Sequence, residues 1–193
     1  MQARDDPDEA GANRYGQGVT NARPLIVTAS LSPEVFAYSD RLRRAHYPPE
    51  RNVLSAHLTL FHAIPPSCER ELCHLLADLA GEHRPLPARL SGIMSLGSGT
   101  ALLVESPPLL DLRAQIAERF AGSLTDQDRH PPRLHITIQN KVSAREAKAL
   151  QANLQADFMP RTFAIPALEA HFYAGGPWES AGRWPFRRAG KSR

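Results

Sequence analysis

His57-Leu58-Thr59-Leu60 and His135-Ile136-Thr137-Ile138 are one four-residue pattern written twice, 78 positions apart. Side chains alternate along a β-strand, so His and Thr at i and i+2 share one face while the two aliphatic residues point to the other. Each copy presents an imidazole and a hydroxyl on an open face. With 8 histidines and 42% apolar residues in the chain, about 0.05 copies of His-apolar-Thr-apolar are expected by chance. A single copy would read as an ordinary strand with a half-buried histidine. Two copies, brought side by side, line a cleft with two histidines and two threonines, which is enough for a metal-free acid/base site.

Outward from the first copy, residues 25–31 read as a buried strand ended by Ser32-Pro33, an N-cap followed by a first-turn proline. A helix follows over residues 34–46, with Val35, Leu42 and Ala45 on its apolar side, and Pro48-Pro49 stops it. The first His-Thr strand is expected over residues 56–64. Pro65-Pro66-Ser67 then opens a helix through Leu79 whose stripe is Leu72, Leu75, Leu76 and Leu79. Strands near 88–96 and 101–105, split by Gly-Ser-Gly, close this half. The second half replays the order: a helix over 109–120, a polar loop over 125–133, the second His-Thr strand running to Val142, and a helix to Leu154. Ser143 and Glu146 form a capping box at the start of that last helix. Strands near 162–173 and 183–186 finish the chain. The helices after the motifs start at Ser67 and Ser143, 76 residues apart. That repeat predicts an internal duplication, with two sheets facing each other across a cleft.

On Ser55-Ala56-His57-Leu58-Thr59-Leu60-Phe61 and Arg133-Leu134-His135-Ile136-Thr137-Ile138, the chain resembles the 2H phosphoesterase superfamily, and within it the bacterial 2′-5′ RNA ligase-like and cyclic phosphodiesterase branch. The resemblance covers about residues 24–188. It implies an α+β fold of two pseudo-symmetric lobes, each a mainly antiparallel sheet with helices on its outer face, enclosing a central cleft. It also implies a metal-independent enzyme, without cofactor, acting on 2′,3′-cyclic phosphates or 2′-5′ phosphodiester links.

The residues support the same chemistry. Histidine titrates near neutrality, so His57 and His135 suit an acid/base couple with one ring neutral and the other protonated. Thr59 and Thr137, on the faces of their histidines, can donate to a phosphate oxygen as charge builds, although Thr also favours strands for structural reasons. Phe61 and Gln139 are the next same-face positions by period-two counting. Phe61 is a candidate for stacking on a base or ribose, with a core role as the alternative. Many ligase-like relatives carry an arginine soon after the second motif; here the stretch is Gln139-Asn140-Lys141. Counting in twos places Lys141 on the His135 face, where it would supply a point charge rather than a bidentate fork. Tyr173, sharing a strand face with His171, joins Trp178 as a candidate stacking rim, with packing as the competing role. His46, His62, His83 and His130 read as surface or satisfied histidines.

At 193 residues the chain suits one bilobal domain over residues 23–188. Residues 1–22, with two arginines against four acidic side chains, read as a disordered tail, and residues 189–193 as a basic one. Cys68 and Cys73 point different ways on one helix and read as reduced thiols. With His74 they lack the spacing of a zinc site. No stretch has the length of a membrane span or the apolar core of a signal peptide, so a soluble, cytoplasmic monomer is expected. The expected partners are RNA ends or cyclic-phosphate nucleotides.

The competing readings are a reversible 2′-5′ RNA ligase, a non-catalytic RNA- or nucleotide-binding module, and a metal-dependent phosphodiesterase. The intact His-Thr pairs disfavour the module. The metal enzyme lacks acidic residues at ligand spacing beside either motif. Arg183, Arg187, Arg188, Lys191 and Arg193 cluster at the end of a chain of net charge +3, leaving its body balanced. Deleting residues 1–22 is expected to leave activity unchanged. Deleting residues 187–193 should weaken RNA substrates more than mononucleotides and flatten the salt dependence. Assays of both truncations at two salt concentrations check this, and an equal loss on both substrates would reduce the cluster to a solvated end.

Overall fold

Leu25-Ile26-Val27-Thr28-Ala29 are buried at every position, and they form β1 (Leu25–Ala29), a strand with a neighbour on each side. The computed structural model describes residues 23–187; the two expected tails, 1–22 and 189–193, lie outside the described residues. From β1 the order is α1 (Pro33–His46), β2 (Leu58–Ile64), α2 (Glu69–Glu82), β3 (Leu86–Ser95), β4 (Thr100–Glu105) and α3 (Pro107–Arg119). β5 (His135–Gln139), α4 (Ala144–Ala156), β6 (Arg161–Ile165), β7 (Ala167–Phe172) and β8 (Glu179–Pro185) follow.

Local chemistry sets the helix starts. The Ser32 hydroxyl accepts the Val35 N–H at 3.4 Å ahead of Pro33. Ser143 and Glu146 form the expected capping box, at 3.2 and 2.9 Å. At Pro65-Pro66 the chain first makes a 3₁₀ turn, Pro66–Cys68, so α2 begins at Glu69 rather than at Ser67. One face of α2 then buries Leu72, Leu76 and Leu79 against β7 and β8.

The strands form two four-stranded antiparallel sheets, in the orders β2-β1-β7-β8 and β5-β4-β3-β6. α4 packs on β3 and β4, and α3 on β3. One apolar cluster runs through both sheets, from Leu25 and Leu58 to Leu102, Ile136 and Leu168. The result is the two-lobed α+β fold, with one motif strand at the edge of each sheet.

The lobes are not the two halves of the chain. β3 and β4, which close the first half in sequence, sit in the sheet of β5 and β6, while β7 and β8 return to β1. The stretch 162–173, expected as one strand, is two. Pro166 has no N–H to give a ladder, and there the chain leaves one sheet for the other. The Pro166 carbonyl accepts from Phe186 N–H at 2.9 Å, and the Ala167 carbonyl from Ser30 N–H at 2.9 Å.

An edge strand must find partners for its outward backbone groups. On β2 the buried Asp128 carboxylate does this, accepting the N–H groups of His62 at 3.0 Å and Ala63 at 2.9 Å, with His62 Nδ1 3.2 Å away. Arg113, whose guanidinium lies 4.5 Å over the Phe61 ring, donates to the Asp128 carbonyl. Burial alone would raise the Asp128 pKa, but the hydrogen bonds from His62 and Ala63 and the charge of His62 outweigh it and hold the carboxyl below its usual range. A carboxyl depressed in the folded state stabilises the fold above its unfolded pKa of about 4, and that stability is lost as pH falls through the folded value. Asp128→Asn should therefore cost about 2 kcal/mol near neutrality. Urea unfolding from pH 7 down to 3 should show the gap to the wild type shrinking below about pH 4.

Candidate functional site

Both motifs repeat the same geometry at atomic level. His57 lies immediately before β2 and His135 is the first residue of β5. His57 Nδ1–H donates to the Ser55 carbonyl at 2.8 Å and His135 Nδ1–H to the Arg133 carbonyl at 2.7 Å. A carbonyl only accepts, so each neutral ring carries its proton on Nδ1, and Nε2 is its acceptor nitrogen. Both rings are half-buried. β2 and β5, the outer strands of their sheets, contact each other, which brings the two motifs to one junction. Thr59 pairs with Thr28 of β1, and Thr137 with Ala101 of β4.

Directly after each threonine comes a β-bulge. Val27 and Thr28 are adjacent on β1, yet their partners on β2 are Phe61 and Thr59. Thr100 and Ala101 are adjacent on β4, with partners Gln139 and Thr137. An extra residue inverts the period-two count beyond it, so the predicted face of positions 61 and 139 is wrong in both copies. Phe61 is fully buried in the core beneath Arg113 and has no open face for a base. Gln139 is buried as well, accepting from the Thr100 hydroxyl at 3.1 Å. The close approach there also dictates Gly99, since a Cβ at that position would lie 2.3 Å from the Gln139 carbonyl oxygen.

Lys141 does not continue the His135 face either. β5 ends at Gln139, not near Val142, and Lys141 takes a left-handed φ of 58° with its N–H on the Asn140 side-chain oxygen at 2.8 Å. The Lys141 side chain is exposed. Tyr173 follows β7 at the end of β1 that pairs Leu25 with Phe172, whereas Leu58, next to His57, pairs with Ala29 at the other end. The aromatic that reaches His57 is Trp178, on the turn between β7 and β8. Its ring centroid lies 4.6 Å from that of His57 and 5.2 Å from that of His171.

Around these groups the first sheet is polar. Thr59, Thr28, Glu169 and Arg183 stand in register across its four strands. Glu169 accepts from the Ser30 hydroxyl at 2.6 Å and from Arg183 Nε at 3.1 Å. His171 Nε2 and the Thr28 hydroxyl are 3.1 Å apart. Burial lowers the His171 pKa against the opposing pull of Glu169, which favours the neutral ring. The corresponding row of the second sheet is Thr137, Ala101 and Met94, and it is apolar beyond the threonine. Among the described residues, no three His, Cys, Asp or Glu side chains are grouped as a metal ion would need. No described helix is long and apolar enough to cross a membrane.

A family model described as the 2′-5′ RNA ligase superfamily matches residues 31–176. The chain belongs to that superfamily. Solved structures share the fold: apo Escherichia coli LigT is 21% identical with a TM-score of 0.55, covering 88% of this chain and 100% of its own. LigT complexed with 3′-AMP matches equally well, at 21% and 0.55, over 87% and 100%. TT0787 of Thermus thermophilus is 18% identical with a TM-score of 0.59, over 85% and 98%. No curated protein matches the sequence.

Within this superfamily member, the sequence reading missed what α1 contributes. Its buried residues are Val35, Ser39, Asp40 and Arg43, while Ala45, expected on the apolar side, is exposed. Asp40 accepts the Ala56 N–H at 3.0 Å, one residue before His57. The available signal was the thinness of the helix's apolar stripe, in which polar residues occupy inward positions. Because Phe61 is core, Phe61→Leu is expected to destabilise the fold by about 1 kcal/mol while leaving KM for a nucleotide substrate within about twofold. Thermal unfolding and steady-state kinetics on the same preparation check this; a raised KM at unchanged stability would restore Phe61 to the substrate.

Proposed function

We propose that the chain is a metal-independent phosphoesterase that opens 2′,3′-cyclic phosphates on RNA ends or small nucleotides. The observation that carries this reading is the pair of imidazoles, each with Nδ1–H held by a carbonyl two residues earlier, at 2.8 and 2.7 Å, at the starts of two strands that touch. One neutral ring takes a proton from water through Nε2 as the water oxygen bonds to phosphorus. The other, protonated, gives its Nε2 proton to the ribose oxygen as the P–O bond breaks. Water is thereby split between the phosphate and the freed hydroxyl, and a ribose monophosphate results. Thr59 and Thr137 donate to the non-bridging oxygens as negative charge grows.

Membership of the superfamily and the solved complex of LigT with 3′-AMP support a nucleotide-sized substrate. The superfamily's description also favours a second reading, a reversible ligation in which a hydroxyl of another RNA end replaces water as the nucleophile and the ring opening frees one ribose hydroxyl. The same acid/base pair would then join an RNA cyclic phosphate to a hydroxyl of another end as a 2′-5′ link.

Incubation in EDTA with a nucleoside 2′,3′-cyclic phosphate, and separately with a 2′-5′-linked dinucleotide, separates these outcomes and tests metal independence. His57→Ala and His135→Ala should each lower turnover at least about 10²-fold without unfolding the chain, and the wild-type rate should be bell-shaped in pH. Full activity in either variant would remove the histidines from the mechanism.

A further inference from the structure

The two reactive strands lie in different sheets, so the distance between the imidazoles is not set by one strand ladder. Arg43, on α1, spans the gap. Its Nε–H donates to the Asn52 side-chain oxygen at 2.8 Å and the Leu54 carbonyl at 2.9 Å, and an Nη1–H donates to the Thr137 carbonyl at 3.0 Å. Leu54 precedes His57 by three residues, and Thr137 follows His135 by two. The guanidinium is 4.1 Å over the Tyr47 ring, and Arg43 is 3% exposed.

We propose that Arg43 is a positioning residue that fixes the spacing of His57 and His135 by clamping the segment before one to the strand of the other; the role rests on the acid/base reading of the site. Asp40 reinforces the grip from the same helix through the Ala56 N–H at 3.0 Å, and α1 packs against β5 of the other sheet. A buried guanidinium is costly unless its donors are satisfied. Here Nε and Nη1 donate to the Asn52 side chain and to backbone carbonyls on both sides of the gap. The planar fork holds several acceptors at fixed angles, which an ammonium point charge does not. Displacing catalytic groups by about 1 Å costs on the order of 10²-fold in rate.

The test uses the full chain with Arg43→Met, Arg43→Lys and, as a stability control on α2, Leu79→Ala. Expected on a nucleoside 2′,3′-cyclic phosphate is a kcat lower by about 10²-fold for Met and about tenfold for Lys, with KM within about threefold. Imidazole ¹H–¹⁵N spectra read the same clamp without substrate. The His57 Nδ1–H signal should be protected in the wild type and in Leu79→Ala, weakened in Arg43→Lys and lost in Arg43→Met. Should Arg43→Met fail to fold, Arg43→Lys carries both readouts. A wild type inactive on every cyclic phosphate would overturn the proposed function, and the spectra would then decide the role of Arg43. That role is overturned by an intact His57 signal in the folded Arg43 variants, or by a kcat loss equal to that of Leu79→Ala at matched stability.

Discussion

An edge strand leaves one row of backbone N–H and C=O groups without a ladder partner, and both motif strands of this protein are edges. A further strand on either would satisfy the row and close the junction between the sheets. The protein covers individual groups instead. Asp128 takes the N–H groups of His62 and Ala63, and Arg43 takes the Thr137 carbonyl. Each tie comes from an element outside the sheet it serves: Asp128 from the loop leading to β5, Arg43 from the helix between β1 and β2. The groups that cover the open edges thus tie one lobe to the other, beside the apolar cluster that runs through both sheets.

The duplication is deep at the motifs and shallow around them. Both copies share the Nδ1 tether, the threonine two residues on and the bulge that turns the next side chain into the core. Their surroundings differ. The row beside Thr59 continues through Thr28 and Glu169 to Arg183, and Trp178 rests against His57. The row beside Thr137 continues through Ala101 to Met94. Two rings with one tautomer and unlike neighbourhoods suit the division into acid and base proposed above.

Much of this was legible in the sequence. Period-two alternation located the motif strands, and helix signals at Ser32, Ser143 and Glu146 located α1 and α4. Repeated element order pointed to two lobes. What stayed hidden depends on pairing. A bulge is a property of two strands, so nothing in Leu60-Phe61 or Ile138-Gln139 alone announces that the face count breaks there. Lys141 and Tyr173 were placed by extending strands past their ends. Assigning β3 and β4 to the first lobe failed because adjacency in sequence does not say which sheet a strand joins. Arg43 was passed over because a single helix sequence does not reveal that its polar residues are enclosed.

The crossing at Pro166 bears on how the protein is made. Because β7 and β8 complete the sheet that holds β2, a chain emerging from the ribosome can pair β3 with β4 and β5 while β1 still lacks one of its two neighbours. The wall bearing Glu169, His171 and Trp178 arrives last. Sheet β5-β4-β3-β6 is made wholly of residues that precede the β7-β8 hairpin, whereas the surroundings of His57 depend on it. The wall beside His57 is thereby built from the far end of the described chain, and it is complete only when that hairpin reaches its sheet.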